Sequence, residues 1–246
     1  MPDKNRYKHR PVLHWVVLLS FIAGGIGFGG WQAMVHPNTP LPSEWNPVQP
    51  LVIDDPLTSL TSWKLSRALC SPATCLAVLE TGAQIERKPD FVETPRCGIT
   101  PQVSLSRAGG ASVVPVNTKC QTALRLAMWT QHALQPAAQE LFGQDIAEIK
   151  HFSSYSCRPI RTASGNSSRM SSHATADAID ISGFVLADGT RLSLLRDWSG
   201  DPTKSAFLKR ANTTACDWFR LTLGPRYNRL HADHFHLQNT GNGLCR

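Results

Sequence analysis

The stretch "SSHATADAID" (residues 171–180), running on into Ile181 and Ser182, decides how the second half of this chain is read. In "AIDIS" (178–182), apolar and small or polar residues alternate. On a strand, alternation sends Ile179 and Ile181 to one face and Ala178, Asp180 and Ser182 to the other. The isoleucines can enter a core, which leaves Asp180 on the opposite face. The same logic applies to "DHFHLQ" (233–238), where Phe235 and Leu237 separate from His234 and His236. Two histidines at i and i+2 on one strand face can converge on a point. If the two strands are neighbours, His173, Asp180 and His236 could surround a cation. Imidazole nitrogen and carboxylate oxygen suit zinc at roughly 2.0–2.2 Å, and three protein ligands leave a fourth position open. Zinc lowers the pKa of a water in that position to about 7, which supplies a nucleophile at neutral pH.

Working outward, the pattern predicts an α+β domain with a central antiparallel sheet and flanking helices. "PQVSLSRAGGASVVPV" (101–116) alternates like a hairpin that turns at Gly109-Gly110. "NTKCQTALRLAMWTQHAL" (117–134) is the strongest helix, with Asn117 as its expected N-cap and Pro136 ending it and opening the next helix. "IAEIKHFSSYSCR" (146–158) reads as a strand and "DAIDISGFVLADGTRLSL" (177–194) as a hairpin. "PTKSAFLKRANTTACDWF" (202–219) reads as a helix, followed by strands.

The N-terminus has another character. Residues 1–11 are basic, and residues 12–35 contain no Asp, Glu, Lys or Arg. A helix from about Leu13 to Met34 reaches about 33 Å, enough for a hydrocarbon core of about 30 Å. The run is long for a cleaved signal peptide, and no small-x-small cleavage site follows it. Residues 1–11 are therefore expected in the cytoplasm and 12–35 across the inner membrane. Residues 36–50, with five prolines, form a linker, and residues 51–246 are a periplasmic domain. The formal charge of +7 falls to +4 once residues 1–31 are set aside. The remainder has no dense Lys/Arg stripe with interleaved aromatics, which excludes nucleic acid as the expected partner. The seven cysteines (Cys70, Cys75, Cys97, Cys120, Cys157, Cys216 and Cys245) are scattered rather than grouped in CxxC pairs. They read as disulfides in an oxidising compartment, with pairing open and one cysteine left over. Cys70 and Cys75 compete for one partner.

Ser171-x-His173-x-x-Ala176-x-Ala178-x-Asp180 resembles the SxHxxGxAxD signature of the LAS metallopeptidases, which group lysostaphin-like enzymes, D-alanyl-D-alanine peptidases and the hedgehog domain. Within that group the chain is most similar to the bacterial extensin-like C-terminal domain family. The likeness lies in "CGI" at Cys97, "YSCR" (155–158), "SSHATADAIDISGF" (171–184), "LGPRYNRLHADHFHLQ" (223–238) and the final "CR". The resemblance implies a LAS-like fold and a zinc-dependent peptidase acting on peptidoglycan. His173, Asp180 and His236 would be the zinc ligands and His234 the general base. His231 would hydrogen-bond the substrate or a tetrahedral intermediate. Arg158 would stabilise an oxyanion or hold a carboxylate, with a surface ion pair as its ordinary alternative. Asp233 would point away from His234 on a regular strand and suits a cap or supporting role. Two departures stand out. Ala176 replaces the signature glycine, which is tolerable only if the backbone there is not left-handed. His234 stands where many LAS peptidases carry a Glu. A non-catalytic wall-binding module, or a scaffold anchoring a larger envelope assembly, is the alternative reading.

Overall fold

The computed structural model describes residues 10–162 and 165–246. The basic residues Lys4, Arg6 and Lys8 lie outside them, so the expected cytoplasmic segment is described only at its end, where Arg10 opens helix α1 (Arg10–Val35). This helix is long and apolar enough over Val12–Val35 to cross a membrane.

The domain begins with two short helices, α2 (Thr61–Leu69) and α3 (Pro72–Leu79). Ser71 caps α3, its hydroxyl accepting from the Thr74 N–H at 3.2 Å, with Pro72 just inside the start. Strands β1 (Ala83–Arg87), β2 (Phe91–Thr94), β3 (Cys97–Ile99), β4 (Gln102–Ala108) and β5 (Ala111–Lys119) follow. Next come α4 (Cys120–Trp129), a π-helical turn (Thr130–Leu134), α5 (Gln135–Phe142) and β6 (Ile146–His151). A small hairpin, β7 (Pro159–Thr162) with β8 (Gly165–Met170), precedes a 3-10 turn at Ser172–Thr175. The chain closes with β9 (Ala178–Leu186), β10 (Arg191–Ser193), α6 (Leu194–Asp197), α7 (Pro202–Trp218), β11 (Leu221–Leu223) and β12 (Phe235–Gln238).

The main sheet runs β1-β4-β5-β6-β9-β12-β11, with β10 also on β9. It is not wholly antiparallel as expected, because β5 and β6 pair in parallel through Ser112↔Glu148 and Val113↔Ile149. The reason is the connection between them. The helices spanning 120–142 carry the chain back to the end from which β5 started, and a helical crossover is how parallel neighbours are joined. The β4–β5 hairpin turns where predicted. Gly109 and Gly110 hold φ of 51° and 80°, as a two-residue turn of this hand requires. A side chain on Gly109 would also meet the Gln131 backbone nitrogen at 2.5 Å.

Two helix-boundary expectations change. Asn117 is not an N-cap. It pairs with Ser104 inside β5, because the strand ladder continues to Lys119 and takes precedence over a local capping preference. The start of α4 is held instead by the Cys75–Cys120 disulfide and by the Cys120 N–H donating to the Pro101 carbonyl at 3.2 Å. Pro136 does open the next helix as expected, sitting in the first turn of α5, but the preceding helix does not end there: the π turn at Thr130–Leu134 carries the helical course directly into α5. The strand expected over 146–158 stops at His151. Residues 152–158 are irregular and are anchored by the Cys97–Cys157 disulfide.

The core lies between one face of the sheet and the helices. Ile179, Ile181, Phe184, Phe235 and Leu237 point into it, all buried. Phe184 meets Trp129 and Phe207 edge-on at centroid distances of 6.2 and 5.4 Å. Burial of each such side chain is worth about 1.5–3 kcal/mol. The opposite face of β9 and β12 is therefore free to carry polar groups. Residues 43–50 of the proline-rich segment pack on α2. Lys64, itself buried, donates to the Ser43 and Pro50 carbonyls at 2.5 and 3.4 Å, and the fully buried Asn46 donates to the Met34 carbonyl at 2.9 Å.

The disulfides are Cys75–Cys120, Cys97–Cys157 and Cys216–Cys245. Cys70 is the free and exposed one, so Cys75 won the competition for a partner.

Candidate metal centre

Strands β9 and β12 are antiparallel neighbours, and their register places His236 directly opposite Asp180. With Ile179, Ile181, Phe235 and Leu237 committed to the core, both polar side chains stand on the outer face. His173 reaches the same point from the 3-10 turn that precedes β9. The Ser171 hydroxyl accepts from the His173 N–H at 3.3 Å and starts that turn. Asp177 closes it, accepting from the Thr175 hydroxyl at 2.7 Å and from Lys119 Nζ at 2.9 Å. Asp177 thus has a structural role and does not enter the site.

Three atoms converge: His173 Nε2, His236 Nδ1 and Asp180 Oδ1. Their separations are 3.0 Å (His173–His236), 3.1 Å (His173–Asp180) and 2.9 Å (His236–Asp180). Zinc–ligand bonds of about 2.0–2.1 Å in a tetrahedron imply edges of roughly 3.3–3.4 Å. The observed triangle is slightly tighter than that, and its donor set is one that zinc accepts.

The protons on the outer sides of the rings sharpen the point. His173 Nδ1 lies 3.0 Å from the Ser154 carbonyl, which only accepts, so Nδ1 carries the hydrogen and Nε2 a lone pair. On the other ring, His236 Nε2 donates to Gln238 Oε1 at 3.2 Å, which leaves a lone pair on Nδ1. The Gln238 amide is oriented by its Nε2, which donates to the Thr240 carbonyl at 2.8 Å and so leaves Oε1 facing His236. Two imidazole nitrogens and a carboxylate oxygen thus face one another across about 3 Å, an arrangement that can hold a metal ion. Such outer hydrogen bonds are what orient metal-binding histidines. Ser154 is itself fixed, its hydroxyl donating to the Ala178 carbonyl at 2.7 Å and meeting Thr118 Oγ1 at 2.6 Å.

His234 stands beside the triangle. Its Nδ1 donates to Asp233 Oδ1 at 2.8 Å, and its Nε2 lies 3.7 Å from Asp180 Oδ1. Asp233 does not point away, contrary to the expectation for a regular strand. It precedes β12, where backbone alternation has not begun. The Asp233 contact turns His234 Nε2 toward the triangle of His173, Asp180 and His236 atoms. Phe152 packs its ring edge-on to His234 at 5.7 Å.

The His231 ring centre lies 5.2 Å from that of His234 and 6.0 Å from that of His236. Burial, reinforced by His234 and His236, pushes its pKa down to about 4. Asn228 Oδ1 accepts from the Leu230 N–H and faces His231 Nδ1 at 2.7 Å, so Nδ1 carries the hydrogen. His231 Nε2 is therefore an acceptor. It suits a substrate N–H rather than an oxyanion, which narrows the role expected from sequence. Arg158 lines the same cleft without an ion pair among the described residues. Its guanidinium donates to the Pro159 carbonyl at 3.3 Å, so the surface ion pair is not formed.

These groups line a cleft of about 1000 Å³, with Arg158, Arg161 and Arg169 contributed by the β7–β8 hairpin region. Five of the six residues singled out from sequence (Arg158, Asp180, His231, His234 and His236) line this cleft, and the sixth, the buried His173, reaches Asp180 and His236 from beneath through Nε2. Sequence reasoning missed Ser154, Gln238 and Phe152. Only Gln238 carried a signal, at i+2 from His236 on the same strand face.

Ala176 contradicts the condition placed on it. Its φ and ψ are 49° and 29°, so the backbone is left-handed at the position where the signature has glycine. It is buried, and its carbonyl accepts from Thr122 Oγ1 at 2.7 Å. The left-handed conformation costs a non-glycine residue about 1–2 kcal/mol. An ordinary buried Ala→Gly change loses about 0.8 kcal/mol of methyl burial and about 0.5–1 kcal/mol in backbone entropy. At Ala176 relief of the strain offsets both. Chemical unfolding of Ala176→Gly is therefore expected to be within about 0.5 kcal/mol of wild type, while Ala178→Gly on β9 costs about 1.5 kcal/mol. Equal losses at both positions would contradict this account.

Comparison with protein families matches residues 73–246, more than two thirds of the chain, to the family described as Extensin-like protein C-terminus. Comparison with the curated proteins and with the solved structures returns no significant match.

Proposed function

The chain belongs to the extensin-like C-terminal family, and from that membership and the geometry of its cleft we propose that it is a zinc-dependent peptidase of peptidoglycan stem peptides or cross-links. In this reading it is related to the LAS peptidases, held in the inner membrane by α1 and active in the periplasm. The observation that carries it is the convergence of His173 Nε2, His236 Nδ1 and Asp180 Oδ1 beside an Asp233–His234 pair whose Nε2 faces them.

His173, Asp180 and His236 would hold the zinc. Bound there, zinc supplies Lewis acidity toward a carbonyl and makes a water acidic enough to ionise near neutral pH. The protein's own groups do the rest. His234 Nε2 takes the proton from the attacking water as the water oxygen bonds to the amide carbon. Asp233 steadies the resulting imidazolium through Nδ1. As the C–N bond breaks, His234 returns the proton to the departing amine, so the proton balance closes. Arg158 places a permanent positive charge beside the cleft for the developing oxyanion. His231 Nε2 accepts from a substrate N–H. Stem peptides carry free carboxylates, and Arg158, Arg161 and Arg169 line the cleft without ion pairs among the described residues.

The test is digestion of purified muropeptides by the full chain, before and after chelator treatment, with metal content measured in parallel. Expected are zinc in the untreated protein, cleavage that stops on chelation, and recovery with added zinc. A chain that neither carries nor takes up zinc overturns the reading. Zinc without cleavage of any stem peptide favours the wall-binding module instead.

A further inference from the structure

Outside the cleft, an unusual concentration of exposed apolar side chains surrounds the end of α1. Trp45 is 51% exposed, Leu57 51% and Trp63 44%, with Val48 beside them in the same segment. Hydrogen bonds bring these residues together although they are far apart in sequence. Asn46 Nδ2 donates to the Met34 carbonyl, which sets Trp45 against the last turn of α1. Thr58 Oγ1 donates to the Glu44 carbonyl at 3.0 Å, which brings Leu57 alongside. Lys64 Nζ donates to the Ser43 carbonyl at 2.5 Å, which brings α2 and Trp63 to the same place. Met34 and Val35 are half-buried, whereas residues 12–33 of α1 are exposed throughout. The domain therefore grips the helix end rather than trailing from a free tether.

The chemistry of the patch matches a particular surface. The predominantly apolar 24-residue stretch Val12–Val35 is about 36 Å long as a helix, so Met34 and Val35 emerge at the headgroup level. Tryptophan is enriched at that level because its ring is apolar and its N–H is polar. Trp31 lies one turn before Met34 on α1, and the hydrogen bonds of Asn46 and Lys64 hold the segments carrying Trp45 and Trp63 at the helix end. The Arg67 guanidinium lies 4.8 Å over the Trp63 ring, which puts a cation where lipid phosphates would stand. α2 belongs to the helical layer, and the metal triangle lies on the opposite sheet face, so contact through α2 leaves the cleft open.

We propose that the face formed by Trp45, Val48, Leu57 and Trp63 rests on the outer surface of the bilayer that α1 crosses, so that the domain is docked on the membrane. The proposal rests on reading α1 as a membrane span. It does not depend on the chemistry of the cleft.

Leu57 and Val114 provide a matched test, since both are 51% exposed and Val114 lies on β5, away from the patch. The full chain, with Cys70→Ser to remove the free thiol, would carry a nitroxide at Leu57→Cys or Val114→Cys and be placed in lipid nanodiscs. Collision rates with oxygen, which concentrates in lipid, and with a polar nickel chelate would be compared. The oxygen-to-nickel ratio is expected to be several-fold higher at position 57 than at 114, with Val48→Cys following position 57. Equal ratios at 48, 57 and 114 in a chain that co-elutes with the discs overturn the docking. A chain that does not co-elute with the discs overturns the membrane span itself, and the docking with it.

Discussion

Replacing His234 by Ala is expected to leave zinc bound and to lower peptide hydrolysis by a factor of about 10²–10⁴, the usual contribution of a positioned acid–base group. Replacing His173 by Ala is expected to abolish both. The two histidines differ in what surrounds them. His173 is 2% exposed, its Nδ1 is tied to the Ser154 carbonyl, and its Nε2 forms one corner of the triangle. Removing it leaves two donors, His236 Nδ1 and Asp180 Oδ1, for an ion that needs three from the protein. His234 contributes no corner. Its Nδ1 is committed to Asp233, and its Nε2 is 3.7 Å from Asp180 Oδ1. Metal content by atomic spectrometry and turnover on muropeptides should therefore separate in one variant and fall together in the other. Loss of zinc from His234→Ala would make His234 a ligand and remove the base from the mechanism. Retention of activity in that variant would assign the proton transfer elsewhere, with His231 the nearest imidazole.

Much of this centre was legible because strand alternation is a strong constraint. Once Ile179, Ile181, Phe235 and Leu237 are assigned to the core, Asp180 and His236 have only the other face, and one antiparallel pairing brings them opposite each other. What was not legible depends on contacts far apart in sequence. The parallel β5–β6 pair follows from where the crossover helices return the chain, which no local pattern reveals. Asn117 had every local mark of a cap and was claimed by the ladder with β4 instead. Asp233 was misplaced because alternation was extended two residues beyond the true start of β12. Ser154 acts through its backbone carbonyl, so its side chain gave no clue. The left-handed Ala176 shows the limit in the other direction. The residue looked compatible only with a right-handed or extended backbone, yet the turn that carries His173 imposes the conformation, and Thr122 and the burial around it hold it there.

Removing the Cys97–Cys157 disulfide by a double Ser substitution is expected to weaken zinc binding as well as the fold, whereas removing Cys75–Cys120 weakens the fold alone. The sequence separations are 60 and 45 residues. On the chain-entropy account, loops of those lengths each contribute about 4 kcal/mol, because the cost depends only logarithmically on length. Both variants should therefore lose similar stability, about 8–16 °C in Tm for a chain of this size. Their positions relative to the candidate metal centre differ. Cys75–Cys120 joins α3 to the start of α4 in the helical layer. Cys97–Cys157 pins the irregular segment 152–158, which supplies the Ser154 carbonyl to His173 Nδ1, the Ser156 N–H to the His173 carbonyl at 3.0 Å, and Arg158 to the cleft. Releasing that segment frees the His173 ring to turn, and loss of such an orienting contact typically costs 10–100-fold in metal affinity. Competition with a chromogenic chelator, at a temperature where both variants remain folded, would measure the difference. Equal zinc affinities in the two variants would mean that the 152–158 segment holds its place without the bridge. The orientation of His173 would then rest on the Ser154–Thr118–Ala178 hydrogen bonds, which secure the segment from the core side.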